Sequence, residues 1–495
     1  MNRRQFVTRG AAVGAIVLSG HSWSQQYRPD FSKFASMPRL SMPPLLDATD
    51  TGRFELVAKA GQTNFFGLSP TQTIGYNQAY LGPTIRLSNG AYTARVTNQL
   101  NESVTAHWHG LVIPGDVDGG PHQPIATGSV WKPDLDIEQS PCTAWYHTHA
   151  HQRTAIQVHA GLAGLIQLTD GRDRDRGLPA NYGVDDLTLV LQDRRFDQQG
   201  RMVYSQNMMD MMLGFMGNTM LINGQVGTVA AVPRGIVRLR LLNGSNARIY
   251  TLFMSDNRPM HLAATDGGYL PETLALTKVR LAPGERVELL VDFSSSESVA
   301  LMSEPNVNSG PGAMMGRFRG SVQSASFIVQ PFIVDDTMKS AIDRLPTKLG
   351  GESPNLDEST VALSRRLVLN VGMGPGMMGR MMRRGQGGMS INGQSFETNR
   401  IDFKIKKGSV ERWHLETSML AHPFHIHGLQ FQIISENGGT PRIENRGWKD
   451  TILIANEAEI LVRFNRLANE QAPYMAHCHI LEHEDAGMML QFTVT

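Results

Sequence analysis

Three segments of the chain begin in the same way, with a glycine that leads from a turn into a strand-like run. The runs are GAYTARVTNQL from Gly90, GIVRLRLLNGS from Gly235 and GSVERWHLETS from Gly408. Short runs rich in Val, Ile, Leu, Thr and Arg, bounded by Gly, Asn and Pro, are typical of β-strands. Helical periodicity sustained over three turns is scarce. The repeat therefore predicts an all-β protein of three related β-sandwich domains.

The length of the chain agrees with this number of domains. At 495 residues and about 150 residues per domain, three domains are expected. A stretch of loop composition supplies a linker before the third repeat. The predicted domains cover residues 45–170, 180–334 and 361–495, with the linker at residues 335–360.

The first residues of the chain differ from the rest. Arg3 and Arg4 precede the short apolar run AAVGAIVLSG, which is followed by small and polar residues. The run is too short to span a bilayer, so no membrane anchor is expected. Paired arginines followed by Phe6 resemble a twin-arginine signal over residues 1–24, which the twin-arginine export machinery would read. An ordinary secretory signal is the alternative, and either one predicts a mature chain that begins near Gln25 in the periplasm or outside the cell.

Charge and cysteine content exclude further classes of protein. The formal net charge is +1 with 18% charged residues, so no basic surplus indicates a nucleic-acid partner. Two cysteines cannot make a disulfide framework. If Cys478 binds a metal, Cys142 is expected to be a buried free thiol.

The segment HCHILEHEDAGMM, residues 477–489, places a cysteine between two histidines. Two imidazoles, a thiolate and a weak axial thioether are the ligands of a blue-copper electron-transfer site. Cys478, His483 and Met488 supply three of these four ligands. His422, in the motif HPFHIHG, is predicted to be the fourth.

Histidines also occur in pairs separated by one residue, a spacing that puts both side chains on one face of a strand. Seventeen residues after Gly90 and Gly408 the count reaches the first histidine of a pair, whereas the same count from Gly235 reaches Leu252. The outer domains therefore carry the chemistry. Eight imidazoles converging between them can hold three copper ions, at two or three histidines each. The pairs are His107/His109, His147/His149, His425/His427 and His477/His479.

The alternation of side chains along a strand explains why Cys478 stands between two histidines. Cys478 can bind one copper while His477 and His479 turn toward the histidine cluster, and the covalent path between the two sites is short. Thr148 occupies the corresponding place in YHTH. Only the third domain is therefore expected to build the blue-copper site.

Together the motifs HWHG, HTH, HPFHIHG and HCHILEHEDAGMM resemble those of three-domain multicopper oxidases, most of all the bacterial periplasmic cuprous oxidases of copper tolerance. The resemblance covers the mature chain and implies Greek-key, cupredoxin-like β-sandwiches. It implies that electrons taken singly from a reducing substrate reduce dioxygen to water at four copper ions. The ligands it implies are His422, Cys478, His483 and Met488 for type 1 copper, His107 and His425 for type 2 copper, and His109, His147, His149, His427, His477 and His479 for the type 3 pair.

Two carboxylates are candidates for delivering the protons that water formation requires. Asp118, in GDVDGG, follows the first histidine pair, and Glu484 directly follows His483. The resemblance implies that both lie near the three-copper cluster and act as proton relays. Solvated loop carboxylates are the alternative interpretation.

Methionine is abundant, at 26 residues, and is concentrated in two segments. Residues 202–220 are predicted to form either an apolar plug or packed helix, since methionine fills irregular gaps, or a metal contact. The Gly- and Arg-rich loop at residues 373–389 cannot form a regular core, so its thioethers are predicted to be exposed and to contact a Cu(I) substrate. These loop residues are Met373, Met377, Met378, Met381, Met382 and Met389.

These features predict an exported, monomeric copper oxidase that couples oxidation of Cu(I), and of phenols or aromatic amines, to dioxygen reduction. The resemblance also implies a loop of this kind in related oxidases, but here it lacks their histidines and acidic residues, and ETSMLAH lacks an aspartate that the family uses for substrate copper. A laccase-like oxidase of organic substrates is therefore the first alternative. A copper nitrite reductase would not need eight clustered histidines, and a copper-free interaction protein would not keep every ligand position.

Overall fold

The computed structural model describes residues 32, 34, 36–204, 207–295, 298–305, 325–371, 388–417 and 419–495. Over these residues the strands form six sheets, which pair into three sandwiches in sequence order. Each sandwich encloses its own apolar core. The all-β fold predicted from the sequence is therefore confirmed.

The N-terminal sandwich packs a sheet of order β1-β4-β9-β8 against a sheet of order β3-β2-β5-β6, in which β7 also pairs with β5. A short helix, α1 (Thr154–Ala160), connects its last two strands. The strands are β1 (Leu45–Asp47), β2 (Arg53–Thr63), β3 (Thr71–Tyr76), β4 (Thr84–Leu87), β5 (Gly90–Asn98), β6 (Val130–Trp131), β7 (Asp134–Ile137), β8 (Cys142–His147) and β9 (Ala163–Leu168).

The middle sandwich has a large sheet of order β11-β10-β14-β19-β16-β17, with β12 paired to β10, and a second sheet of order β13-β21-β20-β15-β18. Helix α2 (Met208–Leu213) lies between β11 and β12. The strands are β10 (Asp186–Phe196), β11 (Met202–Val203), β12 (Thr219–Ile222), β13 (Ala230–Arg234), β14 (Ile236–Asn243), β15 (Tyr250–Met254), β16 (Met260–Thr265), β17 (Gly268–Leu276), β18 (Val279–Leu281), β19 (Arg286–Asp292), β20 (Val299–Ser303) and β21 (Phe327–Lys339).

The C-terminal sandwich packs a sheet of order β23-β22-β25-β29-β27 against one of order β24-β31-β30-β26-β28. Helix α3 (Leu481–Asp485) follows β30. The strands are β22 (Val361–Val371), β23 (Met389–Ile391), β24 (Phe403–Ile405), β25 (Val410–Thr417), β26 (His422–Ile426), β27 (Phe431–Glu436), β28 (Thr451–Ile454), β29 (Glu457–Arg463), β30 (Tyr474–Cys478) and β31 (Met489–Val494).

The glycine repeat occupies equivalent positions in the three sandwiches. Gly90, Gly235 and Gly408 all have positive φ, of 142°, 124° and 84°, the region that glycine enters at least cost. Each leads into a strand that pairs in parallel with an earlier strand of its own sandwich: β5 with β2, β14 with β10, and β25 with β22. Leu252 is fully buried in the middle core. The middle sandwich therefore has a core residue where the outer two have histidine.

The predicted burial of Cys142 agrees with the structure, whereas the predicted start of the linker does not. Cys142 is a buried free thiol, as predicted. The segment predicted as a linker from residue 335 begins later, because β21 continues to Lys339 through pairing with β13 at its polar end.

Within the described part of the chain, no helix has the length and apolarity that crossing a bilayer requires. The signal predicted at residues 1–24 lies outside the described residues.

Candidate metal centre

Strands β26 and β30 carry residues of both predicted copper sites. They are antiparallel neighbours, with His425 opposite His477 and Phe424 opposite Cys478. Because side chains alternate along a strand, Cys478 and His477 point to opposite faces. Cys478 lies in the C-terminal core, whereas His477 approaches His149 of the N-terminal sandwich. One strand thus serves two sites.

The histidines of the N-terminal sandwich meet at the end of β8. The peptide groups of His107 and His147 exchange two hydrogen bonds, of 2.8 and 3.1 Å, and the carbonyl of His109 accepts from the Trp145 N–H at 3.1 Å. This pairing holds the HWHG and YHTH motifs side by side. Both motifs therefore present their imidazoles to the C-terminal sandwich together.

The paired histidines of the two outer sandwiches form one buried group, which we name the eight-histidine cluster. The Nε2 atom of His477 lies 3.2 Å from that of His149 and 3.1 Å from that of His427. The rings of His107 and His427 stack at 3.8 Å. Ligand atoms lie within 4.8 Å of one another in three all-histidine sets: His107/His109/His147, His107/His425/His427 and His149/His427/His477.

Hydrogen bonds orient the imidazoles of the cluster. The Nδ1–H groups of His107, His147 and His477 donate to the carbonyls of Asp118, Thr148 and Cys478, at 3.0, 2.8 and 3.1 Å. A donating Nδ1 leaves Nε2 with a free lone pair, as in metal-binding histidines.

The ring nitrogens that take no part in these hydrogen bonds are the ones available to bind a metal. Among the described residues, Nε2 of His107, His147 and His425 and Nδ1 of His109 have no hydrogen-bond partner. Buried polar atoms without a partner are costly, and imidazole nitrogen is a good copper ligand. The cluster therefore fits copper.

Burial also keeps these side chains neutral, which metal binding requires. Desolvation is the largest cause of the shift, and nearby imidazoles add to it. The pKa falls well below its ordinary value for His109, His147, His149, His427, His477 and His479.

A second group, which we name the cysteine site, consists of His422, Cys478 and His483. The Cys478 Sγ atom lies 3.4 Å from Nδ1 of His422 and 3.7 Å from Nδ1 of His483, and the two nitrogens are 3.3 Å apart. Burial raises the pKa of the Cys478 thiol, so a bound metal would have to displace its proton. Met488 is fully buried, and its carbonyl accepts from the Cys478 N–H at 3.0 Å. One thiol and two imidazoles on one center fit a blue-copper ion.

Both predicted relay carboxylates touch the eight-histidine cluster. The Asp118 Oδ2 atom accepts from His427 Nδ1 at 2.7 Å and lies 3.3 Å from His107 Nδ1. The two carboxylate oxygens of Glu484 lie 3.4 Å from Nδ1 of His149 and of His477. Burial raises the pKa of Glu484 well above its ordinary value. Neither side chain is a solvated loop carboxylate.

Asp450, which precedes β28, was not predicted from the sequence. Its Oδ1 atom lies 3.0 Å from His109 Nε2, and its carbonyl accepts from His425 Nδ1 at 2.8 Å. Burial alone would raise the pKa of Asp450, but the charge of Arg286 lowers it well below the usual range. The only signal in the sequence was a charged pair, Lys449 and Asp450, directly before the apolar run TILI.

The first methionine-rich segment covers the cysteine site. The Nε2–H of His483 donates to the carbonyl of Met212, on α2, at 3.1 Å. Met212 and Met216 join the C-terminal core, while Met209 is exposed. Packing thus accounts for part of the segment, as one of the two interpretations predicted.

The loop methionines have two outcomes. Met373, Met377, Met378, Met381 and Met382 lie outside the described residues. The predicted exposure of Met389 is wrong: its side chain is buried, and its strand β23 pairs with Val371 of β22. The physical reason is that Met389 begins the strand run MSI, which closes the edge of the sheet.

The outer parts of the chain match two family profiles, both described as multicopper oxidase, over residues 58–173 and 372–495. These ranges contain all four histidine pairs and the cysteine site. The cell division protein FtsP of Xenorhabdus nematophila is 36% identical over 495 residues, which is 100% of this chain and 98% of that protein.

Solved structures extend the likeness to the whole fold. The laccase-like multicopper oxidase CueO from the lignin-degrading bacterium Ochrobactrum sp. superposes with a TM-score of 0.83 at 41% identity, covering 92% of this chain and 100% of that one. The Campylobacter jejuni multicopper oxidase, described as a metallo-oxidase, has a TM-score of 0.79 at 28% identity, covering 94% and 97%. With its three cupredoxin-like sandwiches, the chain belongs to the multicopper oxidase family.

Proposed function

We propose that the protein is an oxygen-reducing copper oxidase with four copper ions. When bound, these ions would supply one-electron oxidation of a substrate at the cysteine site and reduction of dioxygen to water at the eight-histidine cluster. The observation that carries the proposal is the position of β30, which contributes Cys478 to one site and His477 to the other. The proposed ligands are His422, Cys478, His483 and Met488 for type 1 copper, His107 and His425 for type 2 copper, and His109, His147, His149, His427, His477 and His479 for the type 3 pair.

The protein's own residues exclude water from both sites and link them. The Cys478 side chain, the peptide backbone and the neighbouring histidines form a covalent path between the sites. We assign Asp118 and Glu484 to proton delivery, since their carboxylates lie against His427 and His477. Asp118 would accept and pass protons at Oδ2, and Glu484 would hold one.

We propose Cu(I) as the substrate, with phenols or aromatic amines oxidised more slowly. The metallo-oxidase described from Campylobacter jejuni supports a metal substrate, whereas the Ochrobactrum enzyme is described as acting on lignin model compounds. In this chain the carbonyl of Met212 occupies the Nε2–H of His483. Because this N–H is already hydrogen-bonded, a bulky phenol could not contact the imidazole directly. The contact therefore favours a small ion as the substrate. Action as a monomer, after twin-arginine export to the periplasm, belongs to the same proposal.

The test compares oxygen uptake by the copper-loaded protein with Cu(I) and with a bulky phenol. A variant lacking residues 373–387 isolates the second methionine-rich segment and retains Met389, which β23 requires. We expect the deletion to cut Cu(I) oxidation severely and to leave phenol oxidation level or higher. Unaltered Cu(I) oxidation with an unaltered KM would favour a laccase-like oxidase. Wild-type protein that binds one or two copper ions when fully loaded would refute the proposal itself.

A role in cell division is a second candidate, favoured by the FtsP relative that spans the whole chain. The two functions are separable, because the Cys478→Ser variant should retain the fold and lose the oxidase activity. If that variant restores normal division to cells that lack the protein, the division role does not depend on oxidation. Cells that divide normally without the protein would exclude the second candidate.

A further inference from the structure

Asp450 contacts one histidine from each outer sandwich. Its side chain reaches His109 Nε2 at 3.0 Å and its carbonyl reaches His425 Nδ1 at 2.8 Å. The two rings stack at 3.6 Å with an interplanar angle of 10°. His109 is oriented oppositely to His107 and His147: its Nε2 is occupied and its Nδ1 is free of hydrogen-bond partners among the described residues. The Asp450 carboxylate therefore determines which nitrogen of His109 faces the cluster.

Arg286, the first residue of β19, brings the middle sandwich to this carboxylate. Its two terminal nitrogens donate to the two oxygens of Asp450 at 2.7 and 2.6 Å. The remaining N–H groups donate to the carbonyls of Thr143, Gly284 and Asp266, at 2.9, 3.1 and 3.1 Å. All five donors of the guanidinium are used, and the partners come from all three sandwiches. Lysine, with three donors and no planar fork, cannot reproduce this set.

Two glycines let the middle sandwich approach this closely. A Cβ atom on Gly110, the last residue of HWHG, would lie 2.5 Å from Nη2 of Arg286. A Cβ atom on Gly284 would lie 2.9 Å from Cδ2 of His479. Both glycines have positive φ. The segment from Gly284 to Arg286 is thus in contact with the eight-histidine cluster, although the middle sandwich supplies none of its histidines.

We propose that Arg286 and Asp450 are positioning residues for the three-copper site, and that through them the middle sandwich fixes the orientation and tautomer of His109. The inference rests on the proposed function, since the ion to be positioned is copper. Partners that hold a ligating histidine typically change metal affinity by about 10- to 100-fold when they are removed. The pair acts on the histidine cluster and leaves the cysteine site unaffected.

The experiment uses the full-length, copper-loaded protein with the variants Arg286→Lys and Asp450→Asn. Arg238→Lys is the matched control, because Arg238 is equally buried and is paired with Glu288 and Asp173 but contacts none of the histidines that the structure describes. After dialysis against a copper chelator, copper per chain, the blue absorption and the type 2 electron paramagnetic resonance spectrum are measured.

We expect the Arg286 and Asp450 variants to keep the blue absorption and to lose copper from the histidine cluster, with an altered type 2 spectrum, while the control resembles wild type. If both variants retain full copper and an unchanged spectrum, the inference is wrong. If Arg286→Lys does not fold, Asp450→Asn decides, since it conserves the size of the side chain. Wild-type protein that fails to load copper would overturn the proposed function together with this inference, whereas normal loading of wild type and both variants overturns this inference alone.

Discussion

At the scale of single residues, Cys478 links the two proposed copper sites along the chain. It is fully buried and lies within 3.7 Å of both histidines of the cysteine site. The neighbouring residues His477 and His479 belong to the other cluster. A change at Cys478 should therefore separate the properties of the two centers.

Cys478→Ser should abolish the intense blue absorption, because a hydroxyl replaces the thiolate that copper prefers. The histidine cluster should still bind about three copper ions, at two or three histidines each. Visible spectroscopy and metal analysis of the loaded protein check both statements. Persistence of the blue color would mean that Cys478 does not bind copper.

Met488→Leu should raise the reduction potential of the cysteine site while the blue color persists, because a weak axial donor that stabilises Cu(II) is lost. The fold should tolerate the exchange, since Leu and Met have similar volumes. A redox titration measures the potential, with Met489→Leu, also buried, as the control. Equal potentials in the two variants would exclude Met488 as the axial ligand.

The histidines and the cysteine could be predicted from the sequence because their spacing matches the period of a strand. Asp450 and Arg286 could not, since they are 164 positions apart in the chain and meet through contacts among three sandwiches. The burial of Met389 is not predictable, because a Gly- and Arg-rich composition does not show where a loop ends and the strand MSI begins.

At the scale of elements, α2 is a short helix whose N-terminus is stabilised by a side-chain cap and an ion pair. The Asn207 side chain accepts from the Asp210 N–H at 2.9 Å, and Asp210 forms a two-pronged ion pair with Arg195. Its sequence alone was compatible with a plug, a packed helix or a metal contact. Only its contact with the cysteine site distinguishes it as a cover for His483.

Asn207→Ala should open this cover more often. Loss of such a cap costs about 1 kcal/mol, which raises the population of a locally open helix by up to about fivefold. We expect kcat/KM for a bulky phenol to rise by up to that factor. Asn469→Ala is the control, because the Asn469 side chain likewise caps backbone N–H groups, those of Gln471 and Ala472, in another loop. A rate equal to wild type would show that α2 does not limit access.

At the scale of the whole molecule, buried ion pairs join the N-terminal and middle sandwiches. Asp173, beyond β9, accepts from Arg238 of β14 at 3.0 Å and from the Tyr269 hydroxyl at 2.6 Å. Burial opposes ionisation of Asp173, but the two arginines Arg238 and Arg240 lower its pKa from 3.8 to about 2. The charged form of Asp173 thus stabilises the contact between the N-terminal and middle sandwiches.

Asp173→Asn should lower the free energy of unfolding at neutral pH by about 2 kcal/mol, which is the free-energy equivalent of this pKa shift. Because the folded pKa is depressed, the contribution is present above the unfolded pKa and is lost as pH falls from 3.8 to about 2. The gap between wild type and variant should therefore close over that range in urea titrations. A gap that is constant with pH would contradict this account. Asp50→Asn, at an exposed position, serves as the control.

The three-sandwich architecture was predictable because each repeat glycine begins an equivalent strand, and this pattern is local. The packing of the sandwiches on one another was not, because it depends on side chains such as Arg286 whose partners lie far away in the sequence. The last residues of β21 are not predictable for a similar reason: the polar residues up to Lys339 extend this strand only because β13 lies beside them.

Strand β30 is held between β26 and β31, and its alignment with them has a consequence for both centers. A slip of one residue would reverse every side chain of the strand, turning the sulfur of Cys478 toward the eight-histidine cluster and the imidazole of His477 into the apolar core. A shift of this kind would therefore change both sites at once. A single residue inserted into β30 should therefore disrupt both proposed copper sites, even though every proposed ligand would still be present in the chain.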